Sequence, residues 1–94
     1  MFDITFLEDQ KGIFEVLLLF DDNSQYNLSE IGRKTTLGRM AVRNSVDRLL
    51  GLGLIEPAPA EKLMERKVRL SENGKKVIPH LKEINNIIMS QQNI

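Results

Sequence analysis

The stretch LSEIGRKTTLGRMAVRNSVDRLLGLGLI, residues 28–55, reads as two helices joined by a short break and closed by glycines. Asn27 stands just before it and Glu30 follows three residues later, the reciprocal spacing of a capping box, so a helix begins at Leu28 and runs to about Thr35. Leu28 and Ile31 face inward on that helix, with the small Gly32 beside them. A break follows around Thr36 to Gly38. The next helix runs from about Arg39 to Leu52 and is ended by Gly51 and Gly53. At ~100° per residue, with Val42 pointing inward, Ser45, Val46, Leu49 and Gly53 fall on the buried side. Met40, Arg43, Asn44 and Asp47 fall opposite.

Upstream, Phe2, Ile4 and Phe6 alternate with polar residues, which predicts a short strand or extended arm. A helix from roughly Asp9 to Phe20 carries Ile13, Phe14, Val16, Leu17, Leu18, Leu19 and Phe20. With almost no polar face, it must be covered on more than one side. Asp21, Asp22, Asn23 and Ser24 end it with turn chemistry. Downstream, Leu54 to Glu56 reads as a strand stopped by Pro57, and a loop with Pro59 leads to a second strand, Arg66 to Leu70. Val68 and Leu70 point one way there, Lys67 and Arg69 the other. Ser71 caps a terminal helix with Val77, Leu81, Ile84 and Ile88 at four-three-four spacing, and Pro79 inside it should kink it.

The whole is mainly α with a small β-hairpin, an α+β chain. Ninety-four residues fit one domain large enough for its own core. There is no cysteine, hence no disulfide framework and no thiolate chemistry. The longest apolar run, Val16 to Phe20, is far too short to span a bilayer, and the acidic N-terminus lacks a signal pattern. A cytoplasmic location is the resulting expectation. Net charge is zero, but its distribution is not even. Residues 1–30 hold seven acids and one base, Lys11, whereas residues 31–94 hold twelve bases and six acids. Within 31–55, five bases meet one acid, Asp47, so one face can carry positive potential on a neutral molecule.

Catalytic and metal chemistry find little footing. His80 is the sole histidine and has no partner at ligand spacing. Ser45 has no triad companions and is a small residue on a buried face. The six glycines form no phosphate-cradling loop, and Glu61 and Glu65 flank a loop without implied partners. No enzyme and no cofactor are implied.

Three helices, a hairpin and a further helix, with Leu28, Ile31, Leu37, Val42, Val46 and Leu49 at the buried positions, resemble a winged helix-turn-helix. Leu52-Gly53-Leu54-Ile55 looks like the turn from recognition helix to wing, and RKVRLSENGKKV, residues 66–77, is similar to the second wing strand and the following helix start. The resemblance covers about residues 12–90 and is nearest to MarR-type regulators and small archaeal single-domain winged-helix proteins. It implies a helix-turn-helix at about 28–52, a wing at about 54–70 and a dimerisation helix at about 72–92. Two positions depart from the pattern. Thr36 stands where the motif usually has a left-handed glycine, so strain or a wider turn is expected there. Lys62 and Met64 occupy the places of the Asp-x-Arg signature of the MarR wing.

The resemblance implies a regulator of transcription that binds double-stranded DNA. A recognition helix presents its N-terminal side chains to base edges in the major groove, here Arg39, Met40, Arg43 and Asn44. Arginine pairs bidentately with guanine, asparagine does so with adenine, and Met40 suits a thymine methyl. Arg33, Lys34, Thr35, Thr36 and Arg48 are the phosphate candidates, and Lys62, Arg66 and Lys67 those of the wing. Surplus apolar surface on the first and last helices points to a homodimer through Phe14, Leu18, Ile84, Ile87 and Ile88. The rival reading is a winged-helix protein–protein interaction module without DNA binding. A small-molecule effector finds no polar cluster to support it.

Overall fold

The computed structural model describes residues 3–59 and 66–92, without the side chains of residues 3, 6, 91 and 92. The N-terminal segment Asp3–Asp9 is a 3₁₀ helix, not the strand or arm expected. A strand needs a neighbour for its backbone groups, whereas a 3₁₀ turn satisfies them locally. Leu7 from this segment packs against the core. The first α-helix, α1 (Ile13–Leu19), is shorter than the Asp9–Phe20 expectation. Gly12 precedes it in the left-handed region at φ 85°, and the chain leaves it through a 3₁₀ turn, Phe20–Asp22, closed by Asn23 at φ 61°. A β-carbon on Gly12 would strike the Leu37 side chain, so both conformation and space call for glycine there.

The helix α2 (Leu28–Lys34) starts with the full capping box: Glu30 N–H donates to Asn27 Oδ1 at 2.8 Å, and Asn27 N–H donates to Glu30 Oε1 at 3.0 Å. Ile31 is fully buried, but Leu28 is exposed, contrary to its inward assignment. It sits on the first helical residue, past the edge of the core, where it lines a cleft with Leu37 and Val42. The helix α3 (Arg39–Gly51) has the expected polarity, with Val42, Ser45, Val46 and Leu49 inside. Ser45 is buried without penalty because its hydroxyl donates to the Lys11 carbonyl at 3.2 Å.

A two-stranded antiparallel sheet follows, β1 (Ile55–Pro57) with β2 (Val68–Leu70), in the register Ile55 to Leu70, Glu56 to Arg69 and Pro57 to Val68. Pro57 is inside the strand instead of stopping it. β1 has a neighbour on one side alone, which is where proline is tolerated. Tyr26 forms an isolated bridge to Val68, donating its N–H to Val68 O at 3.1 Å and accepting from Val68 N–H at 2.9 Å. The free edge of β2 is thereby covered.

Ser71 Oγ accepts the Gly74 N–H at 3.1 Å and caps α4 (Glu72–Gln92), which continues through Pro79. Gly74 is buried so close to the Leu54 carbonyl that a β-carbon would overlap it. Ile13, Val16, Leu17, Phe20, Tyr26, Ile31, Val42, Val46, Leu49, Ile55, Leu70 and Ile78 form a core cluster drawn from all four helices and both strands. Each large aliphatic side chain so buried contributes about 1.5–3 kcal/mol. No helix among the described residues is long and apolar enough to cross a membrane.

Candidate functional site

The outer face of α3 is the site that the fold builds most clearly. Packing of Val42, Val46 and Leu49 on α1 and α2 fixes the rotation of the helix. The other side, with Arg39, Met40, Arg43, Asn44 and Asp47, is left exposed as one stripe. Met40 is 70% exposed, a large apolar side chain with no core role. Arg39 and Arg43 take part in no ion pair among the described residues, so Asp47 does not hold Arg43 in the manner its spacing allows. No side chain caps the N-terminus of α3, where Gly38 stands in extended conformation. A cleft of about 460 Å³ lies between α2 and α3, with Arg33, Arg39 and Arg43 around an apolar floor of Leu28, Leu37 and Val42.

The flanking residues are more engaged than their sequence suggests. Arg33 and Lys34 are exposed in the last turn of α2, and Lys34 Nζ lies 5.6 Å from the centroid of the Tyr26 ring. The Thr35 hydroxyl donates to the Ile31 carbonyl at 2.9 Å. Thr36 donates both its N–H (2.8 Å) and its hydroxyl (2.8 and 3.1 Å) to the Glu15 carboxylate on α1. Glu15 is held below the ordinary glutamate range by these bonds, the backbone one first. The expected strain at Thr36 is absent: among the described residues Asn23 is the one non-glycine with positive φ. The turn satisfies its amide by reaching across to α1, and so it needs no left-handed residue. Arg48 is half-buried and pairs with Asp9 at 3.6 Å.

In the wing, Arg66 is exposed. Lys67 reaches Glu30 at 3.8 Å, so Glu30 serves the capping box and the wing together, and its carboxyl lies below the ordinary range chiefly through the Asn27 N–H. Arg69 pairs with its register partner Glu56 through two bonds of 3.0 and 3.2 Å. Lys62 lies outside the described residues, as do Glu61, Met64 and Glu65. Near the wing, Asp22 is lowered by the Tyr26 hydroxyl at 2.7 Å and by the Ser24 N–H.

Of the residues singled out for self-association, Phe14 is 40% exposed and Ile84, Ile87 and Ile88 are each more than half exposed. Leu18 differs: it is half-buried and packs on the chain's own core. His80 is exposed on α4, and among the described residues no group of three or more His, Asp or Glu is placed to hold a metal.

Sequence reasoning did not find Glu15, Glu56 or Tyr26. Glu15 and Thr36 are 21 residues apart, and no local period links them. The Glu56–Arg69 pair follows once the hairpin register is known.

Helix, helix-turn-helix, two-stranded wing and closing helix together define a winged helix-turn-helix. Solved structures of the same fold include regulators of the MarR family. A MarR family regulator from Neisseria meningitidis is 26% identical at a TM-score of 0.70, over 90% of this chain and 61% of that one. A MarR family transcriptional regulator from Porphyromonas gingivalis W83 is 20% identical at a TM-score of 0.73, over 90% and 84%. A protein from Mycobacterium tuberculosis is 20% identical at 0.71, over 97% of this chain and 65% of that one. This chain therefore spans less than two thirds of the first and last of these. No protein-family model matches the chain, and no curated protein does.

Proposed function

We propose that this chain is a DNA-binding regulator of transcription. The observation that carries the reading is the stripe on α3, where Arg39, Met40, Arg43 and Asn44 are exposed and the two arginines are free of ion pairs among the described residues. An α-helix fits the major groove, and arginine and asparagine match the donor and acceptor edges of guanine and adenine there. Arg33, Lys34 and Arg48 flank the stripe as phosphate contacts, and Arg66 and Lys67 carry the wing to the backbone or minor groove. The names of the solved relatives support the same reading.

The regulator acts as a homodimer. Ile84, Ile87, Ile88 and Met89 lie on the exposed second half of α4, and Phe14 is exposed on α1. A two-fold axis through such a layer sets two α3 helices one DNA turn apart, ~34 Å.

The test is fluorescence anisotropy with duplex DNA across a salt series. Log affinity should fall linearly with log salt, by roughly 0.9 for each phosphate neutralised. An unchanged anisotropy at low salt with micromolar protein would remove the reading and favour the interaction-module alternative.

A further inference from the structure

The segment from Lys11 to Glu15 ties the helix-turn-helix to the rest of the molecule at three points. The Lys11 carbonyl accepts from Ser45 in the middle of α3. Gly12, in its left-handed conformation, receives the Leu37 side chain against its bare α-carbon. Glu15 accepts both the N–H and the hydroxyl of Thr36, one carboxylate engaged by one residue through two donors. Thr36 and Leu37 stand three and two residues before Arg39, where α3 begins. Within its own turn Thr36 has no acceptor for its amide. Thr35 Oγ1 donates to the Ile31 carbonyl and accepts the Leu37 N–H at 3.5 Å, and α3 carries no side-chain cap. The Thr36 amide and hydroxyl are therefore held from α1.

We propose that Glu15 is a positioning residue: its carboxylate clamps the turn between α2 and α3 through Thr36 and sets where the N-terminal end of α3, with Arg39, Met40 and Arg43, stands on the body of the molecule. The clamp also withdraws Thr36 from phosphate contact, because its donors are occupied and a phosphate placed there would meet a like charge. A fixed entry to α3 matters for DNA because base contacts depend on the helix entering the groove at one angle and depth. That consequence rests on the DNA-binding reading; the clamp does not.

The experiment compares wild type with Glu15→Ala, Thr36→Val and Thr36→Ser. Glu15→Ala should speed amide hydrogen exchange at Thr36 about tenfold, since a charge-assisted bond to that amide is lost. It should also shift the amide resonances of residues 39–44. Thr36→Val, which keeps the N–H and removes the hydroxyl, should shift the same resonances in the same direction by less. Thr36→Ser keeps both donors and should match wild type. With DNA, Glu15→Ala should lower the ratio of affinity for a duplex selected from a random pool over that for random duplex, by about tenfold. Unchanged Thr36 exchange in Glu15→Ala would overturn the clamp, and faster exchange with resonances 39–44 unmoved would overturn its positioning role. A wild type that binds no duplex removes the DNA reading, and the exchange and resonance shifts then decide the proposal by themselves.

Discussion

Arg43 and Lys67 are both exposed enough to meet DNA, but their surroundings assign them different tasks. Arg43 projects from the second turn of α3 without an ion-pair partner among the described residues, whereas Lys67 is paired with Glu30 beside the wing. Arg43→Ala should weaken binding to a selected duplex by about 1–3 kcal/mol and relax preference at one base pair. Lys67→Ala should weaken all duplexes alike and reduce the salt slope by about one. Anisotropy titrations on selected and random duplexes check both, and equal losses for Arg43→Ala on the two would reassign it to phosphate. At this scale the exposed stripe of α3 was legible because helical periodicity is local. The engagement of Thr36 and Lys67 was not, since their partners arrive from α1 and from the start of α2.

Among the elements, α2 depends most on its ends. Seven residues make a helix too short to be stable alone, so its capping box matters. Asn27→Ala removes the acceptor for the Glu30 N–H and should cost about 1 kcal/mol in thermal or urea unfolding. Three carboxyls, on α1, the turn after it and α2, set the acid limb of stability. Glu15, Asp22 and Glu30 are each lowered by accepting hydrogen bonds, from Thr36, Tyr26 and Asn27 respectively. A carboxyl lowered on folding adds stability that is complete above its unfolded value and disappears as pH falls through the native one. Their contribution is therefore full at neutral pH and lost on acidification below the ordinary values, 4.5 for the two glutamates and 3.8 for Asp22. Melting temperatures taken from neutral pH downward should fall in that window, and Glu30→Gln should flatten the fall. Helix α1 shows where element boundaries escape sequence. The helix reads as continuous from about Asp9, but Gly12 turns left-handed and receives Leu37 from a distant turn.

At the scale of the molecule, α4 extends well past what one core needs. Val77, Ile78 and Leu81 pack inward, and Ile84, Ile87 and Ile88 are exposed. The chain measures 49 × 29 × 24 Å, elongated for its size. Truncation after Lys82 should leave the core intact, since the core residues of α4 precede it, and should remove self-association. Sedimentation of full-length and truncated chains at equal concentration tests this, and a full-length monomer at tens of micromolar would sink the homodimer.

Order and type of the main elements, the inward side of α3, the capping box of α2 and the Ser71 cap of α4 were all readable from residue order. Each depends on interactions within about four residues, where period and side-chain chemistry act directly. The tertiary structure alone decided the 3₁₀ start at Asp3–Asp9, the exposure of Leu28, the bridge of Tyr26 to the wing and the Glu15–Thr36 clamp. Those depend on which segments meet in space. A lone strand without a neighbour cannot satisfy its backbone, and a carboxylate on one helix can accept a turn amide from another part of the chain.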